Sequence, residues 1–469
     1  MEIVLQKGNW YGSVSEAAEM IRNGDTSALE LTRLMLDRIE QLNGSLNAFI
    51  TVTADSALAQ AEEADRELAS GRDRGPLHGI PVAIKDLIDT RGVLTTGGSK
   101  HYADRVPESD ASVVSRLREA GAIMLGKTGL HEMAFGSTSI NPFFGAISNP
   151  WKLDHHPGGS SGGSAVAVAT GMAYAALGTD TGCSVRQPAQ CCGVVGHKPT
   201  FGLVSKAGVL PLVSSMDHVG PITRCVRDAA LVLQAIAGPD RGDPLTLNDS
   251  VEDFSGRLEE TIEGAVVGVP REYFFEGGDP EVIEIVEKSL AVFSELGAKL
   301  REVTLPDCEV AYEAADATFS EIVDANGDVL AQNPQGFSAE FKKRYQAMAK
   351  YRGAAYEAAQ TYRVKFKRDI AEVMQHCDVL ATPTSTVAAA PIEKRPPNHA
   401  KERRKNSCIF NFTGQPSISV PCGFTRDGLP VGLMLSGRVL KDSTVLRFAR
   451  AFERVTPWHT YHPPTPIAQ

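Results

Sequence analysis

Two serine- and glycine-rich stretches and one lysine hold the residues best suited to covalent chemistry. The first, PGGSSGGS at 157–164, runs straight into a small-residue stretch of helical character. Glycines open backbone conformations closed to other residues and let a substrate approach, and a helix start presents free N–H groups. A plain flexible linker would not lie between a strand-rich region and a buried helix. The second stretch, GTDTGCSVRQP at 178–188, sets Asp180 and Arg186 inside an otherwise apolar run. Unpaired charge is costly there, so the two are predicted to pair with each other or with a neighbour, which would make the loop around Ser184 rigid. A nucleophilic hydroxyl needs that placement, together with main-chain N–H groups aimed at the oxyanion formed on attack. Thr181, Gly182, Cys183 and Ser184 can supply those donors.

A serine nucleophile also needs a base. Lys85 follows the apolar run IPVAI and would reach the end of a buried strand. A desolvated ammonium loses affinity for its proton and can serve as a neutral base near pH 7. A single lysine at a strand end is ordinarily solvated, so Lys85 carries weight only in combination with the serines.

The elements that must position these residues read as layered α/β. Ser27-Ala-Leu-Glu30 has capping-box form, and Leu31, Leu34, Met35, Ile39 and Leu42 recur at helical spacing after it. A strand over 46–52 and an Ala/Glu-rich helix near 54–69 follow. Strands at 80–84 and 122–126 then alternate with helices at 110–121 and 164–177, which predicts a sheet covered by helices. Beyond them come strands near 266–269 and 299–304 around a helix, a charged helical region over 308–375, strands at 417–421 and 428–435, and a final helix near 441–454. No repeat or low-complexity linker divides the chain, so one large domain is expected.

Composition narrows the function classes. With 469 residues, 42% of them apolar, the chain can bury a large core. A net charge of -10 argues against a phosphate-backbone partner, and the basic run Lys401 to Lys405 reads as solvated surface. The first twenty residues lack the basic and apolar blocks of a secretory leader, and no segment reaches the roughly 18 apolar residues of a membrane span. The eight cysteines show neither CxxC pairs nor a framework spacing, which suits thiols in a reducing cytoplasm. Neither a metal site nor a cofactor is expected. GAIMLGKT at 121–128 fits the phosphate-loop pattern as text, but its middle positions are apolar and read as a buried strand. GGSSG at 158–162 fits the nucleophile elbow, yet WKLDHHP and not a strand precedes it.

Lys85 in GIPVAIKD, the GGSSGGS block and DTGCSVRQPA together resemble the amidase signature family. The resemblance extends to GKTGLHEMAFGS (126–137), NPW (149–151), CGVVGHKPTFG (192–202), DHVGPITR (217–224) and SISVPCG with GLPVGL (417–433). It implies a single α/β/α domain with a mixed central sheet, preceded by an N-terminal helical segment (1–65) and running from 66 to 469. The catalytic core would span about 70–240 and a variable pocket region about 308–375. It further implies a Ser-cisSer-Lys triad: Lys85 as base, Ser160 as the bridging serine held by a cis peptide, and Ser184 as nucleophile. Ser161, Asp180 and Arg186 would support it, and the amides of Thr181, Gly182, Cys183 and Ser184 would hold the oxyanion. Cys183 stands where the family usually has glycine, so its backbone is expected in an ordinary region, as a tolerated small residue and not a catalytic thiol.

The resemblance leaves two functions in play. One is an amidase acting on a bulky amide, anilide or carbamate, with Met133, Phe135, Phe143 and Phe144 as candidates for an apolar pocket. The other is the glutaminase subunit of a tRNA-dependent amidotransferase. Arg363 sits about where that subunit has an arginine for the glutamine carboxylate. The acidic residue for the glutamine amine is expected just before NFTGQPSISVP, where this chain has Arg403, Arg404 and Lys405. On that ground a stand-alone cytoplasmic hydrolase is expected, monomer or homodimer, with a small-molecule amide substrate and with neither nucleic acid nor membrane as partner.

Overall fold

The computed structural model describes residues 9–394 and 399–464. Residues 1–8, on which the leader-peptide reading and the start of the N-terminal segment partly fall, lie outside the described residues. The strands in chain order are β1 (Phe49–Val52), β2 (Pro81–Lys85), β3 (Ile123–Thr128), a small hairpin of β4 (Ile140–Asn141) and β5 (Gly145–Ala146), β6 (Ala175–Asp180), β7 (Val195–Lys198), β8 (His218–Thr223), β9 (Val266–Val269), β10 (Lys299–Glu302), β11 (Val379–Pro383), β12 (Ser417–Phe424) and β13 (Pro430–Gly437). All but the hairpin join one sheet, ordered β1-β3-β2-β6-β8-β7-β12-β13-β11-β9-β10. It is mixed: β3-β2-β6 and β11-β9-β10 pair in parallel, and the remaining pairs are antiparallel.

Burial explains the run of apolar residues in the central strands. Every residue of β2, β3, β6, β7 and β8 is buried, as when helices cover both faces of a sheet. The edge strand β10 is exposed throughout, and its sequence KLRE puts charge where a bare edge would invite pairing. The helix Ala28–Leu46 starts on the expected capping box, with Ser27 and Glu30 exchanging side-chain and main-chain hydrogen bonds. GAIMLGKT is a turn followed by the buried strand β3, as its apolar middle demands. The region 308–375 folds as the helices Cys308–Thr318, Ile322–Gln332, Ala339–Ala349 and Ala354–Val373, whose inner faces bury Phe319, Phe341 and Phe366 against Phe410 and Phe412.

The stretch expected as one helix over 164–177 is instead two elements. The helix Gly162–Ala169 ends at Thr170, whose hydroxyl donates to the Val166 carbonyl at 2.7 Å. The chain then reverses at Gly171 (φ 71°), and its second half becomes β6 between β2 and β8. Alanine fits either state, and the sheet claims it.

The parallel pair β2-β6 brings two carboxyl ends to one edge of the sheet, where open α/β sheets hold their ligands. Lys85 ends β2, Asp180 ends β6, and the glycine-rich loop is held at that edge because the helix after it packs on β2, β3, β6 and β8. Ser164 Oγ donates to the Leu177 carbonyl at 3.0 Å and shares a hydrogen bond with Thr128 at 2.7 Å. At Gly163 an added Cβ would stand 2.4 Å from the Ala48 carbonyl oxygen and 2.5 Å from the Gly129 nitrogen, so nothing larger than hydrogen fits. Gly163→Ala is expected to cost about 1–3 kcal/mol through forced backbone shifts. An unchanged midpoint in urea denaturation would refute that close packing.

Candidate active site

At the end of β2 the Lys85 side chain is fully buried, and its Nζ has three hydroxyl neighbours: Ser160 Oγ at 2.7 Å, Ser161 Oγ at 2.9 Å and Thr179 Oγ1 at 2.7 Å. Burial brings the amine down to about 7, while the more distant charges of Asp180 and Asp217 pull it upward. A neutral amine has two hydrogens and one lone pair. Ser161 already donates to the Thr179 carbonyl at 3.2 Å, so it accepts from Lys85, and the lone pair falls to the hydroxyl of Ser160 or Thr179.

The peptide bond joining Gly159 and Ser160 is cis. This loop is tied from both sides. Gly159 N–H donates to Gln187 Oε1 at 2.9 Å, Ser139 Oγ donates to the Ser160 carbonyl at 3.2 Å, and Ser161 N–H donates to the Ser184 carbonyl at 3.2 Å. The last contact couples the glycine-rich loop to the loop of Ser184.

That second loop is pinned by charge. Asp180 and Arg186, both fully buried, pair at 2.9 Å and 3.1 Å, as their apolar context predicted. Burial alone would raise the Asp180 carboxyl, but the Arg186 guanidinium more than offsets it and holds the acid well below its usual range. Asp180 also accepts from the Val185 N–H at 3.0 Å and from Asn411 Nδ2 at 2.9 Å, and Arg186 donates to the Ser407 carbonyl at 2.9 Å. Asp217 holds the other shoulder, accepting from Thr181 Oγ1 at 2.6 Å and from the Leu212 and Val213 amides. Between these anchors, no described residue accepts a hydrogen bond from the N–H groups of Gly182, Cys183 or Ser184. Cys183 has no positive φ, and burial pushes its thiol up to about 11, which keeps it protonated and poorly nucleophilic at neutral pH.

Ser184 and Thr181–Cys183 face a cavity of about 620 Å³ whose far wall includes Phe135, Tyr312, Phe319, Arg403 and Arg404. Of the four apolar candidates only Phe135 lines it. Met133 is buried beneath, and Phe143 and Phe144 sit at the tip of the β4-β5 hairpin with their amides bonded to Asn141, so neither forms the pocket. The run Lys401 to Lys405 is not solvated surface. Arg403 and Lys405 are each only 4% exposed, and Arg404 turns inward to Tyr312 Oη at 2.9 Å and to the Asp316 carboxylate. Arg363 lies outside the cavity wall, donating to the Phe412 and Ser215 carbonyls at 2.6 and 2.7 Å and to Ser215 Oγ at 3.0 Å. Thr179, Asp217 and Gln187 escaped the sequence reading. Only the parallel pairing of β2 with β6, which brings the carboxyl ends of the two strands together, could have revealed the first.

The family described as Amidase matches residues 30–446 of this chain. A relative from Moorella thermoacetica, named as the A subunit of glutamyl-tRNA(Gln) amidotransferase, is 41% identical over 486 residues, covering 98% of this chain and 99% of its own. The solved structure of the A subunit of glutamyl-tRNA(Gln) amidotransferase from Thermotoga maritima superposes with a TM-score of 0.83 at 35% identity, covering 100% of both chains. A chain from a vestigial protein complex, described as revealing the evolutionary origins of an s-triazine catabolic enzyme, superposes with a TM-score of 0.90 at 32% identity over 94% of this chain and 98% of that one. These names overturn the expectation of a monomer or homodimer with no nucleic acid among its partners. Net charge reports on phosphate contact by one chain alone and is silent on an assembly.

Removing one member of the buried pair tests the pinning of the Ser184 loop. Arg186→Met leaves Asp180 charged and unpaired in the interior and is expected to cost about 3–5 kcal/mol. A loss below about 1 kcal/mol in equilibrium unfolding would mean that water reaches the site.

Proposed function

The chain belongs to the amidase signature family of C–N hydrolases, and we propose that it cleaves a small carboxamide through a Ser184 acyl-enzyme, as the ammonia-releasing subunit of an amidotransferase-like assembly. The observation that carries the chemistry is the buried Lys85 amine, within hydrogen-bonding distance of Ser160 and Ser161 in a loop bonded to Ser184. The neutral amine takes a proton from Ser160 as Ser160 takes one from Ser184. Ser184 Oγ then attacks the amide carbonyl carbon, and the oxyanion settles among the 181–184 amides. Ser160 returns a proton to the departing nitrogen, and water, deprotonated by the same pair, releases the acid and restores Ser184.

The subunit reading is supported by relatives of that name over nearly the whole chain at 41% identity. Cytoplasmic residence fits the eight free cysteines, and among the described residues no helix is long and apolar enough to cross a membrane. A second reading, hydrolysis of a bulky amide, anilide or carbamate, draws on the aromatic part of the cavity wall, Phe135, Tyr312 and Phe319.

Ammonia release from glutamine, an aryl amide, a p-nitroanilide and an aryl carbamate, measured with and without partner proteins, separates the two. Glutamine turnover that appears or rises with a partner supports the first reading, and turnover of the anilide or carbamate alone supports the second. In either case Ser184→Ala is expected to lower the rate by roughly 10⁴-fold or more with the far-UV spectrum unchanged. The sign of the pH dependence follows from Lys85. Its amine is the base only when deprotonated, so kcat/KM rises with pH and levels off above about 7. A rate still flat down to about pH 5 would exclude a lysine base.

A further inference from the structure

Six glycines lie in the two motif stretches, 157–164 and 178–188, and packing accounts for five of them. At Gly158, Gly159, Gly162, Gly163 and Gly178 an added Cβ would stand within 2.9 Å of another protein atom. Gly182 is different. Its φ is not positive, and beyond its chain neighbours a Cβ there would meet only Phe319 Cζ and Cys408 Sγ, each at 3.6 Å, an ordinary van der Waals contact. Neither the backbone nor a neighbouring side chain excludes alanine at 182. The residue lines the cavity in front of Ser184, as Cys183 and Phe319 do. The missing side chain therefore leaves a slot on the cavity floor in which a carbon atom can touch both Phe319 and Cys408, and glycine is the residue that lets a ligand approach the main chain this closely.

The walls of the slot are apolar and held in place. Phe319 is only 5% exposed, its ring stacks on Phe135 with centroids 6.2 Å apart, and the Arg404 guanidinium lies 5.2 Å from its centroid. Cys408 is fully buried in the helix Lys405–Thr413, and burial pushes its thiol up to about 11, so it offers a neutral, polarizable sulfur. The next residue faces another wall. Cys183 turns its side chain to the glycine-rich loop, where Sγ donates to the Gly159 carbonyl at 3.7 Å. The main chain of 182–183 thus has the loop of Ser160 on one side and the Phe319–Cys408 slot on another.

We infer that the slot over Gly182, walled by Phe319 and Cys408, is the acyl subsite, that it takes an acyl group whose first carbons are unbranched and uncharged, and that Phe319 limits the bulk it accepts. The inference rests on the proposal that Ser184 is the nucleophile, and it names the part of the substrate that the cavity floor selects. A carbonyl carbon bonded to Ser184 Oγ, with its oxygen among the 181–184 amides, has two substituents left to place. The departing nitrogen lies toward Ser160, from which it receives its proton. The acyl carbon then points away from that loop, over the main chain of Gly182. A methylene there gains contact with the edge of an aromatic ring and a thiol, whereas a branch meets the ring of Phe319 and a charge loses its water without a partner.

The test uses the full chain and the p-nitrophenyl esters of acetate, butyrate and isobutyrate, with Ser184→Ala as the blank. In the proposed mechanism all three acting residues belong to this chain. Ser184 Oγ takes the acyl group, p-nitrophenolate leaves, and the serine proton passes through Ser160 to Lys85. For the unaltered chain kcat/KM is expected to favour butyryl over isobutyryl by about tenfold or more. Gly182→Ala, which fills the slot, is expected to lower the butyryl-to-acetyl ratio by about 10- to 100-fold, and Phe319→Leu to shrink the discrimination against isobutyryl. Because an alanine Cβ has room at 182, that variant decides the matter even if Phe319→Leu fails to fold. Equal rates on butyryl and isobutyryl esters, a butyryl-to-acetyl ratio untouched by Gly182→Ala, or a folded Phe319→Leu with undiminished discrimination would each overturn the inference and leave Ser184 as nucleophile. Cleavage that survives Ser184→Ala, or no cleavage of any ester, would instead overturn the catalytic proposal on which the subsite stands.

Discussion

A carboxylate with no access to water must be neutralised by the protein, and the way this chain neutralises Asp180 organises everything around Ser184. The acid ends β6, and its partner Arg186 begins the next helix, so the pair closes the loop that carries Ser184. Both side chains then reach outward to a third segment: Asn411 bonds to Asp180, and the Ser407 carbonyl receives Arg186. One ion pair thus joins the strand, the loop and the helix Lys405–Thr413, which directly follows Arg403 and Arg404 of the cavity wall. Buried pairs add little net stability, but leaving one member alone is expensive, so they specify which segments meet.

The same carboxylate acts on Lys85, the base of the proposed mechanism. Burial without a partner can take a lysine several units down, to where it is too weak a base to accept a serine proton. Asp180 and Asp217 counter that burial from a distance without touching Nζ, which meets only hydroxyls. The outcome, an amine near 7, is what a general base operating at neutral pH requires. An acid in direct contact would have kept the lysine charged. Thr179, one of those hydroxyls, holds the amine in place without restoring its proton.

What could be read from the sequence divides along the line between local and non-local causes. The strand that delivers Lys85, the capping box at Ser27 and the pairing of Asp180 with Arg186 follow from neighbours within a few residues, and each appears as expected. The split of 164–177 into helix and strand was not legible, since alanine carries little preference and the deciding contact, insertion between β2 and β8, is made by residues far away in the chain. Phe143 and Phe144 failed as pocket residues for a related reason. Aromatic side chains near an active-site motif are common, and only the path of the β4-β5 hairpin decides which way they go. The run Lys401 to Lys405 misled most. Five residues with four cations read as solvent-facing because the acids that meet them, Asp316, Glu309 and Glu402, lie on other segments or are hidden in the run itself.

That misreading bears on how charge informs function. A chain of net charge -10 encloses a cavity whose wall carries four cations and one acid. The two facts do not conflict, because surface charges farther than about 8–10 Å are largely screened at physiological salt, whereas the largely buried charges of Arg403 and Arg404 are screened much less. The field in front of Ser184 is therefore set by the side chains of the cavity wall, and the total charge has little say. In the proposed mechanism the charges of Arg404 and Arg403, which act on the Cys183 thiol beside Ser184, would also favour the oxyanion. Composition describes the chain as a whole, and the field at one cavity is set by which side chains the fold turns inward there.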